Sequence, residues 1–271
     1  LRHFKVRILV AQLEALDRFI QSFFCIMRLL ERWLGRRKMY TFDSRVRYSE
    51  IGEDKKLTLN SLLNYFQDCT TFHSEAVGRG METLEQMRKV WVLAGWQICV
   101  DRYPVLGEKI TVCTWPYEFK GFYGGRNFLM KTEQGEVLAY ANSVWSFLDL
   151  EKGIPCRVPA EETEAYPVEE KLDMNYAPRK IAIPVQGEER EEFVVKHHHL
   201  DTNHHVNNGQ YVSMAREYIP EEFTVHQLRV EYKKQAVLGD TIVPWVSQET
   251  GKWIVVLGDE NKIPYAVVEV E

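Results

Sequence analysis

From Leu59 to Val77 the residues Leu59, Leu62, Leu63, Phe66, Cys69, His73, Ala76 and Val77 recur at three- and four-residue spacing, and from Val90 the period falls to two. The first pattern is that of one amphipathic helix of about five turns. Thr58 stands ready as its N-cap, and Gly78 and Gly80 as stop signals. The second pattern predicts a strand over 90–100 that places Val90, Val92, Ala94, Trp96, Ile98 and Val100 on one face. Strand-like runs follow at 108–117, 122–133 and 136–149, broken by Tyr103-Pro104, Leu106-Gly107 and Gln134-Gly135. A helix this apolar needs cover on its buried stripe, which strands curving around it supply.

The plan is then repeated in shorter form. Residues 151–190 carry Pro155, Pro159, Pro167, Pro178 and Pro184 among many glutamates and read as a linker over the surface. A strand at 192–200, a helix from Asn207 to Ile219 and strands near 224–235, 240–248, 252–258 and 263–270 come after it. Two units of helix and antiparallel strands indicate a structural duplication in the α+β class. The boundaries expected are an extension at 1–38, a first unit at 39–150, the linker, and a second unit at 191–271.

The net charge of -5 is unevenly spread, with nine Lys/Arg against three Asp/Glu in residues 1–38, so the rest is acidic. An acidic body argues against nucleic acid, whose binding relies on clustered Lys/Arg neutralising phosphates. The five cysteines, at 25, 69, 99, 113 and 156, are odd in number, lack CxxC spacing and read as reduced thiols of a cytosolic protein. Charges at Arg7, Glu14, Asp17, Arg18, Arg28, Glu31 and Arg32 leave no run in residues 1–38 long enough to span a bilayer. The reading preferred for this segment is sequence upstream of a native start at Met39; a basic amphipathic helix is the other.

Chemistry concentrates in Asp201-Thr-Asn-His-His205-Val-Asn-Asn208. In extended geometry residues two apart face the same side, so Asp201, Asn203 and His205 can converge on one pocket. A neutral imidazole can take a proton from water and return it to a leaving thiol, and a carboxylate can fix its tautomer. The competing reading makes Asp201 and Asn203 turn and N-cap residues. His197, His198, His199, His204 and His205 suggest a metal, with His197 and His199 on one strand face, yet HExxH and cysteine pairs are absent and no metal is expected.

The run Leu200-Asp-Thr-Asn-His-His-Val-Asn-Asn-Gly-Gln-Tyr211 resembles the Asp-x-Asn-x-His-Val-Asn-Asn signature of plant and bacterial acyl-acyl-carrier-protein (acyl-ACP) thioesterases. Val90-Trp-Val-Leu, Val100-Asp-Arg-Tyr-Pro104, Gly107, Thr114-Trp115 and Ala141-Asn-Ser-Val-Trp145 resemble that family's first-half strands, so the likeness runs from about Tyr40 to Glu271. It implies a double hot-dog, two antiparallel sheets each wrapping a helix, with the acyl chain held mainly by the first half. It also implies that Asp201, Asn203 and His205 are catalytic. Where the family usually has Glu then Cys, this chain has Gln235-Ala236. A cysteine nucleophile cannot operate there, and Gln235 can hold a water but cannot act as a base. Water attack remains, with His205 the preferred general base and Asp201 orienting it or Asn203; Asp201 activating the water stays open.

The acyl slot is expected along Leu62, Leu63 and Phe66 and along Trp91 and Leu93, although an apolar helix face is also plain core. An acidic acyl carrier protein would be steered by Lys196, Arg229, Lys233 and Lys234, which otherwise are solvated strand edges. No cofactor is expected. The rival readings are an acyl-CoA thioesterase or hot-dog dehydratase on the same scaffold and a non-catalytic acyl-binding protein. Two fused units can satisfy each other's sheet edges or pair with a second copy, so homodimerisation is open.

Overall fold

The computed structural model describes residues 39–271. The expectations for residues 1–38 lie outside them. In chain order the elements are β1 (Tyr40–Arg45), α1 (Leu59–Ala76), α2 (Met81–Gln86), β2 (Lys89–Val100), β3 (Lys109–Lys120), β4 (Tyr123–Thr132), β5 (Val137–Asp149), β6 (Ile154–Pro155) and α3 (Ala160–Ala165). They continue with β7 (Glu188–Glu189), β8 (Phe193–Val194), α4 (Asn208–Arg216), β9 (Gln227–Tyr232), β10 (Thr241–Glu249), β11 (Lys252–Gly258) and β12 (Pro264–Val270). Short 3-10 turns occupy Tyr48–Glu50 and His197–His199.

Helix α1 forms where its periodicity places it. Thr58 Oγ1 accepts the Ser61 N–H, and beyond the last turn Gly78 takes φ +70, a left-handed conformation that ends the helix. Its apolar stripe of Leu62, Leu63, Phe66 and Cys69 is fully buried on the side that packs against the sheet. Each such large side chain contributes about 1.5–3 kcal/mol. Phe66 packs 6.3 Å from Trp96 and 5.2 Å from Phe128, so the middle of this half is filled by aromatic rings.

All strand pairings are antiparallel, in the order β1-β3-β4-β5-β2-β9-β12-β11-β10-β7, with β6 on β5 and β8 on β10. The two sheets suggested by the sequence are therefore joined through β2 and β9, where Gly95–Cys99 pair with Gln227–Glu231. Joining them removes two edges that would otherwise expose unpaired N–H and C=O groups. Helices α1 and α4 pack against each other, and one apolar cluster runs from Val46 to Val270 through both.

Two expectations are corrected. The alternation over 90–100 breaks at a β-bulge, since Leu93 faces Trp145 while Gly95 faces Val144, leaving Ala94 as the extra residue. Leu93, Trp96, Ile98 and Val100 therefore join the core, and Val90 and Val92 do not. The segment 151–190 is also more than a linker, because it crosses the outer face of the sheet as a strap. Asn127 Oδ1 accepts from Leu172 N and Tyr176 Oη, Gln97 bonds Asn175 O and Ala177 N, and Glu231 Oε2 accepts from Ile181 N. Ile181 is buried against Ile254, Val256 and Val267. Polar residues at outward strand positions thus satisfy the strap's backbone.

Candidate active site

The segment 201–205 is a closed turn, and the expected extended geometry is not what forms. Asp201 N–H donates to His205 O (2.8 Å) and His204 N–H to Asp201 O (3.2 Å), with His204 at φ +63. Asp201 Oδ1 accepts the backbone N–H of Asn203 at 2.8 Å and of His205 at 3.3 Å. An aspartate that caps N–H groups two and four residues ahead pulls the chain out of strand geometry. Asp201 therefore orients His205 through its backbone. The His205 Nδ1 is buried and has no hydrogen-bond partner among the described residues. Asn203 is exposed at the tip of the turn.

Backbone pairing fixes the turn to its surroundings. Leu200 bridges Val206, His205 bridges Val237, and Val206 N–H donates to Ala236 O at 2.9 Å. The exposed Gln235 is thereby held beside the strand-like pair 205–206. Two tyrosines that sequence reasoning passed over complete the frame. Ala236 N–H donates to Tyr211 Oη at 3.0 Å, and Tyr232 Oη donates to Asn208 O at 3.0 Å. Burial pushes Tyr211 up to about 12 and holds Tyr232 well above the usual phenol range, so both stay protonated. Their signal in the sequence was an apolar helix position and an alternating strand position, which reads equally as core.

Asn207 caps α4, its Oδ1 accepting the Gly209 N–H at 2.8 Å. A Cβ on Gly209 would lie 2.8 Å from Asn60 Oδ1, 2.9 Å from Asn64 Oδ1 and 3.3 Å from Asn207 Oδ1. The first turn of α4 thus sits close against the start of α1. The expected strand at 192–200 is reduced to Phe193–Val194, because β8 pairs only with Thr241 and Ile242. His197–His199 form a 3-10 turn, closed by the Lys196 N–H on His199 Nδ1 (3.0 Å), so His197 and His199 do not share a strand face. Burial, then the neighbouring His198 and Lys196, holds His199 below the usual imidazole value.

The remaining residues separate. Leu62, Leu63, Phe66 and Leu93 belong to the packed core. Trp91 stands apart, 4.8 Å from Phe147 and 6.0 Å from Phe119, with Nε1–H on Glu162 Oε1 at 2.9 Å. Lys196 is exposed, while Lys233 and Lys234, just before Gln235, pair with Glu231 and Asp259 at 3.1 Å each. Arg229 is not with them. It lies on the outer sheet face, clamped to Glu269 and to the carbonyls of Pro178 and Lys180 in the strap.

Comparison with known proteins decides the family. The model of the acyl-ACP thioesterase N-terminal domain matches residues 37–166, and that of the C-terminal domain matches residues 183–259. The chain belongs to the acyl-ACP thioesterase family. An acyl-[acyl-carrier-protein] hydrolase of Cuphea viscosissima, described as chloroplastic, is 28% identical over 206 residues, which are 70% of this chain and 50% of that relative. An oleoyl-acyl carrier protein thioesterase of Arabidopsis thaliana is 28% identical over 234 residues, 78% of this chain and 63% of its own length. Against the Cuphea relative the chain spans half of the length.

The solved structure of an acyl-ACP thioesterase from Bacteroides thetaiotaomicron superposes with a TM-score of 0.79 at 22% identity, covering 87% of this chain and 98% of that one. A 12:0-ACP thioesterase from Umbellularia californica gives 0.76 at 19% identity, with 86% and 96% covered. These likenesses establish the fold, the double hot-dog of this family.

Proposed function

We propose that this member of the acyl-ACP thioesterase family hydrolyses fatty acyl-ACP thioesters to free fatty acid and holo-carrier, a step that terminates fatty acid synthesis. The observation that carries the chemistry is the half-buried imidazole of His205, held by the Asp201-closed turn that leads into α4. Its Nδ1 is tied to no partner among the described residues, so the exposed side of the ring is left to exchange a proton with water. Water attacks the thioester carbonyl carbon as His205 takes its proton; the C–S bond then breaks, and His205 returns the proton to the departing thiolate. The backbone N–H of Asn208, the first residue of α4, suits the developing oxyanion. Asp201 keeps His205 in place through its backbone, and Asn203 and Gln235 supply polar contacts to the water or the carbonyl. With Ala236 following Gln235, no thiol competes for the acyl group.

Lys196, Lys233 and Lys234, beside the exposed Val237 and Leu238, form the carrier-facing rim of this reading. The experiment is turnover of acyl-ACP by wild type and by His205→Gln. A loss of about a hundredfold or more in the variant is expected for removal of a general base; activity within a few-fold of wild type takes His205 out of the mechanism. Gln235, a neutral group where the family usually has a carboxylate, favours one second reading, a non-catalytic acyl-binding protein. Fatty acyl thioester retained for hours without hydrolysis would select it.

A further inference from the structure

The seam between α1 and the first turn of α4 carries polar groups that packing alone does not explain. Asn60, Asn64 and Gln67 follow at four- and three-residue spacing, so they make one stripe along α1, beside the apolar stripe of Leu62, Leu63 and Phe66. Two atoms of this stripe, Asn60 Oδ1 and Gln67 Oε1, are buried and have no hydrogen-bond partner among the described residues. Each unpaired buried acceptor costs about 1–3 kcal/mol, a cost that a leucine at the same position would remove. Asn64, between them, is exposed. The stripe begins where Gly209 approaches Asn60 and Asn64, and so at the helix that the His205 turn enters. From there it leads along α1 for about 10 Å.

We infer that this stripe is the track of a pantetheine-type arm, whose two secondary amides are bound by the carboxamides of Asn60, Asn64 and Gln67. The inference rests on the thioesterase reading. A thioester carbonyl and an alkyl chain bring no hydrogen-bond donor, so neither answers orphaned carbonyl oxygens. The amides of the arm do, and each pairs an N–H with a C=O, the complement of a carboxamide. Their separation along an extended arm is comparable to one helical turn of about 5.4 Å. Rotation of each carboxamide about its terminal torsion presents either end to the arm. Gly209 belongs to the same device, because a side chain there would push Asn60 and Asn64 off the seam.

The test places one acyl chain on three leaving groups: acyl carrier protein, N-acetylcysteamine with one amide, and a simple alkyl thiol with none. Asn64→Ala and the double variant Asn60→Ala/Gln67→Ala are compared with wild type, all as full chains. Each lost hydrogen bond is worth roughly two- to tenfold, so kcat/KM on the carrier thioester should fall about fivefold or more, mainly through KM. The loss should shrink on N-acetylcysteamine and vanish on the alkyl thioester. An equal loss on all three, as removal of a bound water or a loosened α4 would give, overturns the assignment, and so does no loss on any. Should the double variant not fold, the exposed Asn64→Ala carries the same comparison. If wild type hydrolyses none of the three, the hydrolase reading fails by itself. Calorimetric binding of a non-hydrolysable acyl-pantetheine ether to wild type and Asn64→Ala then still decides the stripe, unchanged affinity refuting it.

Discussion

Arg126 is a buried guanidinium whose Nη1 donates to His73 Nδ1 at 2.8 Å and to Thr114 Oγ1 at 3.3 Å, with the Tyr166 ring 5.4 Å from its Cζ. Burial lowers it to about 10, and burial followed by the Arg126 charge lowers His73 to about 3 from 6.5. Between those two values the unfolded chain binds a proton at His73 that the folded chain does not, so stability rises with pH across this window and falls as the solution is acidified below 6.5. At about 1.4 kcal/mol per pH unit, His73 should remove about 2 kcal/mol between pH 7 and pH 5. In His73→Gln, whose carbonyl still accepts from Arg126 without titrating, that increment should be missing from urea unfolding curves. Equal acid sensitivity in both proteins would contradict a neutral His73. None of this pairing was legible in the sequence, because His73 occupied an ordinary helix position and its partner lies 53 residues away. The reverse holds at Asp201, Asn203 and His205, where the residue types are readable but strand alternation gives the wrong geometry for them. The Asp201 carboxylate closes the chain into a turn, and alternation does not survive that.

At the scale of elements, α1 was readable to within a residue because its cap, its stripe and its terminating glycine all lie within the segment. The strap was not, since nothing inside 151–190 reveals that Asn127, Gln97 and Glu231 await its backbone. Arg229 shows the consequence. As a strand cation next to Lys233 it reads as a carrier contact, yet outward strand positions here face the strap. Its guanidinium holds two strap carbonyls and the buried Glu269, to which Lys252 also reaches at 3.3 Å. Arg229→Ala should therefore cost about 1.5–3 kcal/mol in thermal or urea unfolding, the range for hydrogen bonds to a charged group. It should leave the salt dependence of carrier-thioester turnover as in wild type. Replacing the exposed Lys196 and Lys234 together should flatten that dependence with little change in stability. Should Arg229→Ala alter the salt dependence and not the stability, the clamp is the wrong account of this residue.

The two halves of the body from Met39 to Glu271 meet at the β2–β9 join, in the α1–α4 contact and in one shared apolar cluster. The hot-dog resemblance foretold two sheets around two helices, but the pairing of β2 with β9 that makes them continuous depends on Gly95. It sits just past the bulge at Ala94, with Val144 on one side and Glu231 on the other. A Cβ at Gly95 would lie 2.7 Å from the Val230 carbonyl oxygen and 3.3 Å from Arg179 Cγ, so even alanine forces the two strands apart. Backbone on the far side of that contact cannot swing away as a side-chain end could, and overpacking of this kind costs about 1–3 kcal/mol. Because α1 and α4 share one apolar cluster across the join, the strain is felt in both halves at once. Gly95→Ala should therefore unfold in a single transition with an unchanged denaturant slope and a lower midpoint, followed in parallel by tryptophan fluorescence and circular dichroism. Two resolved transitions would mean that the halves are independently stable and that the β2–β9 join merely abuts them.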